Sequence, residues 1–186
     1  KIAEQLKVSA TPVREAFRKL AKDNLVVIVP WKGVTVKADT PEEIVALYQC
    51  REVMEGLGAR LCARHATPEQ VAELKELCKE MHAIEDATAR VEVNSRFHSM
   101  IAQFSGNDRV VDYLADFRER VNRDMYLSSF NAVRTHDCDD EHDHIVDAIE
   151  RHDEVAAENA MRKHINNAFI FKRANAELQD KNLNEV

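Results

Sequence analysis

The chain is expected to be mainly α-helical, with a small mixed head and an all-helical body. Three observations predict this. Only four of its 186 residues are Gly and four Pro, and 45% hydrophobic content stands beside 32% charged, which is the composition of a folded helical protein rather than a disordered one. Apolar residues return at helical spacing along most of the length. The β-like pattern is confined to two short branched runs ahead of residue 37.

The head divides in order. Ile2, Ala3 and Leu6 fit a short helix ending near Lys7, and Val8-Ser9 makes a turn in which Ser9 can cap the next helix. From Ala10 to about Lys22, Val13, Phe17, Leu20 and Ala21 share one face. Leu25–Val29 and Val34–Val36 flank Pro30-Trp31-Lys32-Gly33 as a β-hairpin with a glycine near its tip. Helix, tight turn, helix and hairpin make a winged helix-turn-helix, expected over residues 1–38. Such a unit also needs a helix before Ile2 to close its core, so the sequence is expected to begin inside its first domain.

Charge separates the head from the rest. Residues 1–37 hold eight Lys or Arg against three acids, a balance of +5, so with −7 overall the remainder carries −12. A basic head on an acidic body suits contact with a polyanion. The second helix would lie in the DNA major groove with Ser9, Thr11 and Arg14 at its leading end. Arg14 can bond a guanine edge or clamp a phosphate, and Lys32 at the hairpin tip would reach a neighbouring groove or backbone.

The body, expected over residues 39–178 with a polar tail at 179–186, opens on a capping signal. Thr40-Pro41-Glu42-Glu43 and Thr67-Pro68-Glu69-Gln70 each combine an N-cap, a Pro at the first helical position and an acid or amide three residues on. They start helices over about 40–65 and 67–86. Further helices are expected at about 89–105, ended by Gly106, then 108–130, 139–151 and 154–177, with fraying from about Lys172. No apolar run approaches the length of a membrane span, and no signal-peptide pattern is visible. The four cysteines form no C-x-x-C pair, as expected of reduced thiols in a cytosolic protein.

Eight histidines are present. His65, His82, His136, His144 and His152 fall near helix ends or acidic faces and read as solvated. His98, His142 and His164 differ. Asn94 and His98 are i and i+4, projecting from one helix face beside the Phe97, Met100, Ile101 and Phe104 stripe. His142 and His164 lie about 11 residues either side of a turn at His152-Asp153, roughly 16 Å along each helix, so an antiparallel pair brings them level. Three helices can thus converge Asn94, His98, His142 and His164, as bundles do to build metal sites. The alternative is a set of core histidines bonded to one another and to water. Arg51 sits on the inward Ile44, Leu47, Tyr48 and Met54 stripe. It either meets a ligand's anion or pairs with Glu55 one turn on. Arg120 and Arg123 are further pocket candidates, with ordinary surface charge as the plainer reading.

Four stretches resemble a known family. "IAEQLKVSATPVREAFRKLAKDNLV", with Val8-Ser9-x-Thr11-Pro12-Val13-Arg14-Glu15-Ala16 at its centre, closely resembles the DNA-binding signature of the GntR family of bacterial transcription regulators. That family commonly has Arg where Ala10 stands, and often Arg-x-Gly in the wing where Trp31 precedes Lys32-Gly33. "YQCREVMEGLGARLCA", "RFHSMIAQFSGN" and "EHDHIVDAIERHDEVAAENAMRKHI" look like the helical effector domain of its FCD branch. The resemblance implies a metal held by one Asp and three His, often completed by a small carboxylate. The three His match His98, His142 and His164, while the Asp falls on Asn94, a neutral and weaker ligand that leaves the site more cationic and more dependent on an anion.

Three imidazoles suit Zn²⁺, Ni²⁺, Fe²⁺ or Mn²⁺. The expected function is a cytoplasmic bacterial regulator whose body dimerises, places two heads on a pseudo-palindromic operator and responds to a small carboxylate held by the metal and Arg51. Two alternatives stand beside it. In one the metal itself is the signal. In the other the site is a metallohydrolase, against which stand the absence of a His-Glu-x-x-His motif and the basic head that an enzyme leaves unexplained.

Overall fold

The computed structural model describes residues 2–23, 25–37, 40–115 and 135–184. They form two compact units, Lys1–Glu43 and Ile44–Val186.

In the first unit, helix α1 (Ile2–Gln5) is closed by a Schellman turn. The Val8 N–H reaches the Ala3 carbonyl at 3.0 Å and the Lys7 N–H reaches that of Glu4 at 3.2 Å. Lys7 takes the left-handed conformation, φ 55°, where Gly is usual. Helix α2 (Ala10–Lys22) follows, with Ser9 in extended geometry at its N-cap and no cap bond from the hydroxyl. Val13, Phe17, Leu20 and Ala21 are the half-buried positions of α2, the face its spacing predicts. No residue of α1 or α2 is fully buried.

Strands β1 (Val26–Val29) and β2 (Gly33–Val36) pair antiparallel, Val26 opposite Val36 and Val29 opposite Gly33. The Lys37 N–H bonds the Leu25 carbonyl at 3.0 Å and extends the ladder. Two residues at the hairpin tip have positive φ, Trp31 at 64° in the turn and Gly33 at 104° at the start of β2. Gly accepts this geometry freely and Trp does not. The indole of Trp31 is fully exposed at the tip.

The second unit is a helical bundle in which local side chains fix the helix starts. Helix α3 (Pro41–His65) begins on a reciprocal box, its first turn belonging to the head unit. The Thr40 N–H donates to Glu43 Oε2 at 3.0 Å and the Glu43 N–H to Thr40 Oγ1 at 3.2 Å. Helix α4 (Pro68–Ala83) repeats this with Thr67 and Gln70. Asp86 caps α5 (Ala87–Phe104) by accepting from Ala89 N at 2.8 Å. Gly106, at φ 66°, lies just past its end. Residues 108–115 are helical (α6), with Asn107 Oδ1 accepting from Arg109 N at 3.0 Å. The rest of the helix expected to residue 130 lies outside the described residues.

Helices α7 (Thr135–Glu150) and α8 (Glu154–Asn184) form an antiparallel hairpin. Its turn is a second Schellman motif, with the Asp153 N–H on the Ala148 carbonyl and the His152 N–H on that of Ile149, both at 3.0 Å. His152 is left-handed, φ 54°. Its ring Nδ1 lies 2.8 Å from the Ala63 carbonyl, so this histidine anchors the turn to α3 rather than only meeting solvent. Helix α8 is 31 residues long and runs past the expected fraying point. The stretch from Ala174 to Gln179 is rich in strong helix formers and holds no Pro or Gly, which carries the helix onward. Helix α7 starts four residues before its expected first residue.

Phe97, Leu74, Met81, Ile101, Ile145, Ile149, Met161 and Ile165 are fully buried and form the centre of the core. Helix α3 adds Tyr48 to that core and, further along, the small side chains Ala59, Cys62 and Ala63. A Cβ on Gly56 would stand 2.8 Å from Arg162 Cγ, so the side chain of α8 lies directly over the α3 backbone there. Arg90 of α5 bonds both the Met81 carbonyl and the buried Asp139 of α7, tying three helices at one end.

Burial pushes the thiols of Cys62 and Cys78 up to about 12, with Asp143, Asp139 and Asp147 adding to the effect on Cys78. Cys50 is exposed. A thiol titration with DTNB is expected to modify Cys50 in the native protein and to reach Cys62 and Cys78 only after urea unfolding. Thr67→Ala removes one arm of the α4 box and should lower unfolding free energy by about 1 kcal/mol in urea melts.

Candidate functional site

Three imidazoles meet inside the helical unit. Phe97 anchors α5 in the core and stands edge-on to His98, the next residue, with centroids 5.7 Å apart. His142 on α7 is buried against the same phenyl ring at 4.6 Å. The turn at His152-Asp153 returns α8 alongside α7 and brings the buried His164 level with His142, their centroids 4.5 Å apart. His98 lies 5.8 Å from His142 and 5.2 Å from His164. One ligating atom from each of the three lies within 4.8 Å of the other two.

Each outer flank of this cluster carries a carboxylate that the sequence reading did not single out as part of the site. Glu55 of α3 is buried, with Oε2 against His98 Nδ1 and Oε1 accepting from Arg51 Nε at 2.8 Å. Glu141 of α7 has Oε2 2.7 Å from His164 Nδ1, and its Oε1 accepts from Asn167 Nδ2 at 2.6 Å. Cys138, Glu141 and His164 form a second group with ligating atoms within 4.8 Å of one another. Among the described residues no carboxylate joins the three imidazoles as a fourth member of their group.

The charges follow from this wiring. Burial alone would drive Glu55 toward its neutral form, but Arg51 and His98 outweigh it and hold the carboxyl well below the usual carboxylate range. Burial likewise disfavours the Arg51 cation, and Glu55 with Tyr48 outweighs it and raises the guanidinium above its ordinary value. The Arg51 guanidinium also lies over the Tyr48 ring, 5.1 Å from its centroid. Of the two readings of Arg51, the pair with Glu55 is therefore present.

The donor set fits a divalent cation. Both ring nitrogens of His98 are buried without a hydrogen bond among the described residues, Nδ1 meeting Glu55 only as an ion pair, and a buried nitrogen left so costs on the order of 1–3 kcal/mol unless something accepts its lone pair. Imidazole nitrogens from three helices, two of the rings packed against Phe97, are what zinc-like ions take. Asn94 stands one turn before His98 on α5, half-buried. Arg120 and Arg123 lie outside the described residues. His65, His82, His144 and His152 are exposed, and the side chain of His136 lies outside the described set.

In the head, Ser9, Thr11 and Arg14 are exposed at the leading end of α2, and Lys32 is exposed at the hairpin tip beside Trp31. Among the described residues no ion pair engages Arg14.

Residues 46–167 match the FCD domain family, and residues 1–36 match the family described as bacterial regulatory proteins, gntR family. A protein of Paenarthrobacter nicotinovorans, described as a probable D-xylose utilization operon transcriptional repressor, is 30% identical over 166 residues, which is 88% of this chain and 73% of that one. The transcriptional repressor RspR of Escherichia coli K12 is 28% identical over 167 residues, with the same two coverages. Among solved structures, a GntR regulator of Rhodococcus sp. RHA1 superposes with a TM-score of 0.79 at 28% identity, covering 93% of this chain and 84% of the other. McbR of E. coli reaches the same score at 19% identity, a likeness of fold, over 94% of this chain and 85% of its own.

Removing one partner of the buried Arg51–Glu55 pair strands the other charge. Arg51→Met is expected to cost about 3–5 kcal/mol of unfolding free energy. The double variant Arg51→Met/Glu55→Met should cost clearly less than the single one, as a double-mutant cycle in urea will read.

Proposed function

The chain belongs to the FCD branch of the GntR family of bacterial regulatory proteins, and from that premise we propose how its two units divide the work of a ligand-responsive regulator. It is a DNA-binding transcription regulator and not an enzyme, which sets the metallohydrolase reading aside. None of the described helices is long and apolar enough to cross a membrane.

In our reading the leading end of α2 enters the major groove. Arg14 contacts a base edge or phosphate, Ser9 and Thr11 help set register, and Lys32 follows the backbone from the hairpin. The exposure of all four supports this, and the +5 charge of residues 1–37 supplies the attraction. The body forms a homodimer, so two heads meet a pseudo-palindromic operator. Repression in a bacterial cytoplasm is the mode we assign, in line with the names of the two repressors that resemble this chain.

The convergence of His98, His142 and His164 carries the sensing half of the proposal. These three, with Asn94, would hold a divalent cation of the Zn²⁺, Ni²⁺, Fe²⁺ or Mn²⁺ class. Such an ion supplies a Lewis acid with positions open to a small organic carboxylate. Arg51 is the residue we assign to the far end of that effector, because a guanidinium has five N–H donors and one carboxylate oxygen of Glu55 does not exhaust them. The effector alters operator affinity only if it binds the DNA-competent and DNA-incompetent states differently.

A second reading, with the metal itself as signal, is favoured by one observation. No acid joins the imidazole group among the described residues, and position 94 carries a neutral amide, so the cation is held less tightly and exchanges more readily.

Metal analysis of the native protein should find close to one divalent ion per chain, falling sharply in His98→Ala. Operator binding titrated with and without small carboxylates should shift in the metal-loaded protein. Affinity indifferent to every acid at a filled site would end the effector reading, and a switch produced by chelation alone would establish the metal as signal. Arg14→Ala should weaken operator binding by about 1–3 kcal/mol without altering the circular dichroism.

A further inference from the structure

We propose that Glu55 and Glu141 are positioning residues of the three-histidine centre: each grips the Nδ1 of one imidazole from outside, turns its Nε2 to the shared point, and supplies from behind the ring the negative charge that Asn94 does not bring. This rests on the metal-binding reading above.

The same pairing of carboxylate with imidazole Nδ1 recurs from two independent helices. Glu55 Oε2 meets His98 Nδ1, and Glu141 Oε2 lies 2.7 Å from His164 Nδ1. An ionised carboxylate only accepts, so in each neutral imidazole the proton sits on Nδ1 and the lone pair on Nε2. For His98 that Nε2 is buried with no hydrogen-bond partner among the described residues, while Nδ1 meets Glu55 as an ion-pair contact rather than a formed hydrogen bond. The two carboxylates thereby select one tautomer in two of the three rings before any ion arrives.

Each carboxylate is itself fixed through its other oxygen. Arg51 Nε donates to Glu55 Oε1 at 2.8 Å, and Asn167 Nδ2 donates to Glu141 Oε1 at 2.6 Å. Two relays result, Arg51–Glu55–His98 and Asn167–Glu141–His164, entering the centre from α3 and α8. A carboxylate behind an imidazole raises the basicity of the far nitrogen and so its strength as a ligand. That compensates for the missing acid at position 94 while leaving the ion's own open positions untouched. Cys138 lies within reach of the same outer edge of His164, so a competing arrangement exists in which a cation sits behind that ring and uses Nδ1.

Long-range proton–nitrogen correlation spectra of the ¹⁵N-labelled, zinc-loaded protein decide between them. The expected result is Nε2 coordination with a protonated Nδ1 for both His98 and His164. Nδ1 coordination in either ring overturns the proposal. Zinc affinity measured against a competing chelator gives a second readout. Glu141→Gln and Glu55→Gln keep an acceptor and lose the charge, and each is expected to raise the zinc dissociation constant about 10–100-fold. Because Glu55→Gln also strands Arg51 and can unfold the chain, half-buried Glu141 carries the comparison, with an unchanged melting curve as its control. An unchanged dissociation constant in Glu141→Gln overturns the proposal while the metal reading stands. A wild-type protein that takes up no zinc removes both.

Discussion

A buried nitrogen or carboxylate must find a partner, and the helical unit is arranged around that requirement. Arg51, Glu55, His142 and His164 are all buried, and His98 sits among them. An apolar core could have been built from these helices at lower electrostatic cost, because desolvating a charge is repaid only by close pairing. The polar groups instead form a connected seam from Tyr48 through Arg51 and Glu55 to His98. That seam fixes the register of α5 against α3, while Glu141 and Asn167 fix α7 against α8. Phe97, Ile145, Ile149 and Ile165 close around the result and keep the surrounding dielectric low.

What was legible in the sequence was local or obeyed simple periodicity. The boxes at Thr40 and Thr67 involve residues three apart and formed as written. The half-buried face of α2 comprises the four residues its spacing selects. The levelling of His142 and His164 needed only a turn position and the rise of a helix. The partners of these residues were not legible in the same way. Glu55 read as a neighbour of Arg51, because i and i+4 is a local relation, but its second oxygen reaches a helix some forty residues away. Glu141 hid beside His142 in sequence, although adjacent helical residues point about 100° apart. Helix ends were missed for a related reason. Where α7 begins and α8 stops depends on modest propensities summed over a turn, with no single capping residue announcing them.

The two units solve opposite problems. The body hides polar chemistry inside and spends local side-chain bonds on defining each helix start. The head keeps its candidate contacts in water. Ser9 occupies the cap position with its hydroxyl uncommitted to the helix, and among the described residues Arg14 engages no carboxylate that would have to be displaced. Groups held this way meet a polyanion without first breaking an internal bond.

The left-handed turn at the hairpin tip has one more implication. Trp31 is the sole tryptophan of the chain, and its ring is fully in water. Indole emission from this protein therefore originates at a single point on the head. Loss of the helical core changes little around that ring, so a melt followed by tryptophan light will be nearly blind to the body. A macromolecule closing over the hairpin will be seen at once.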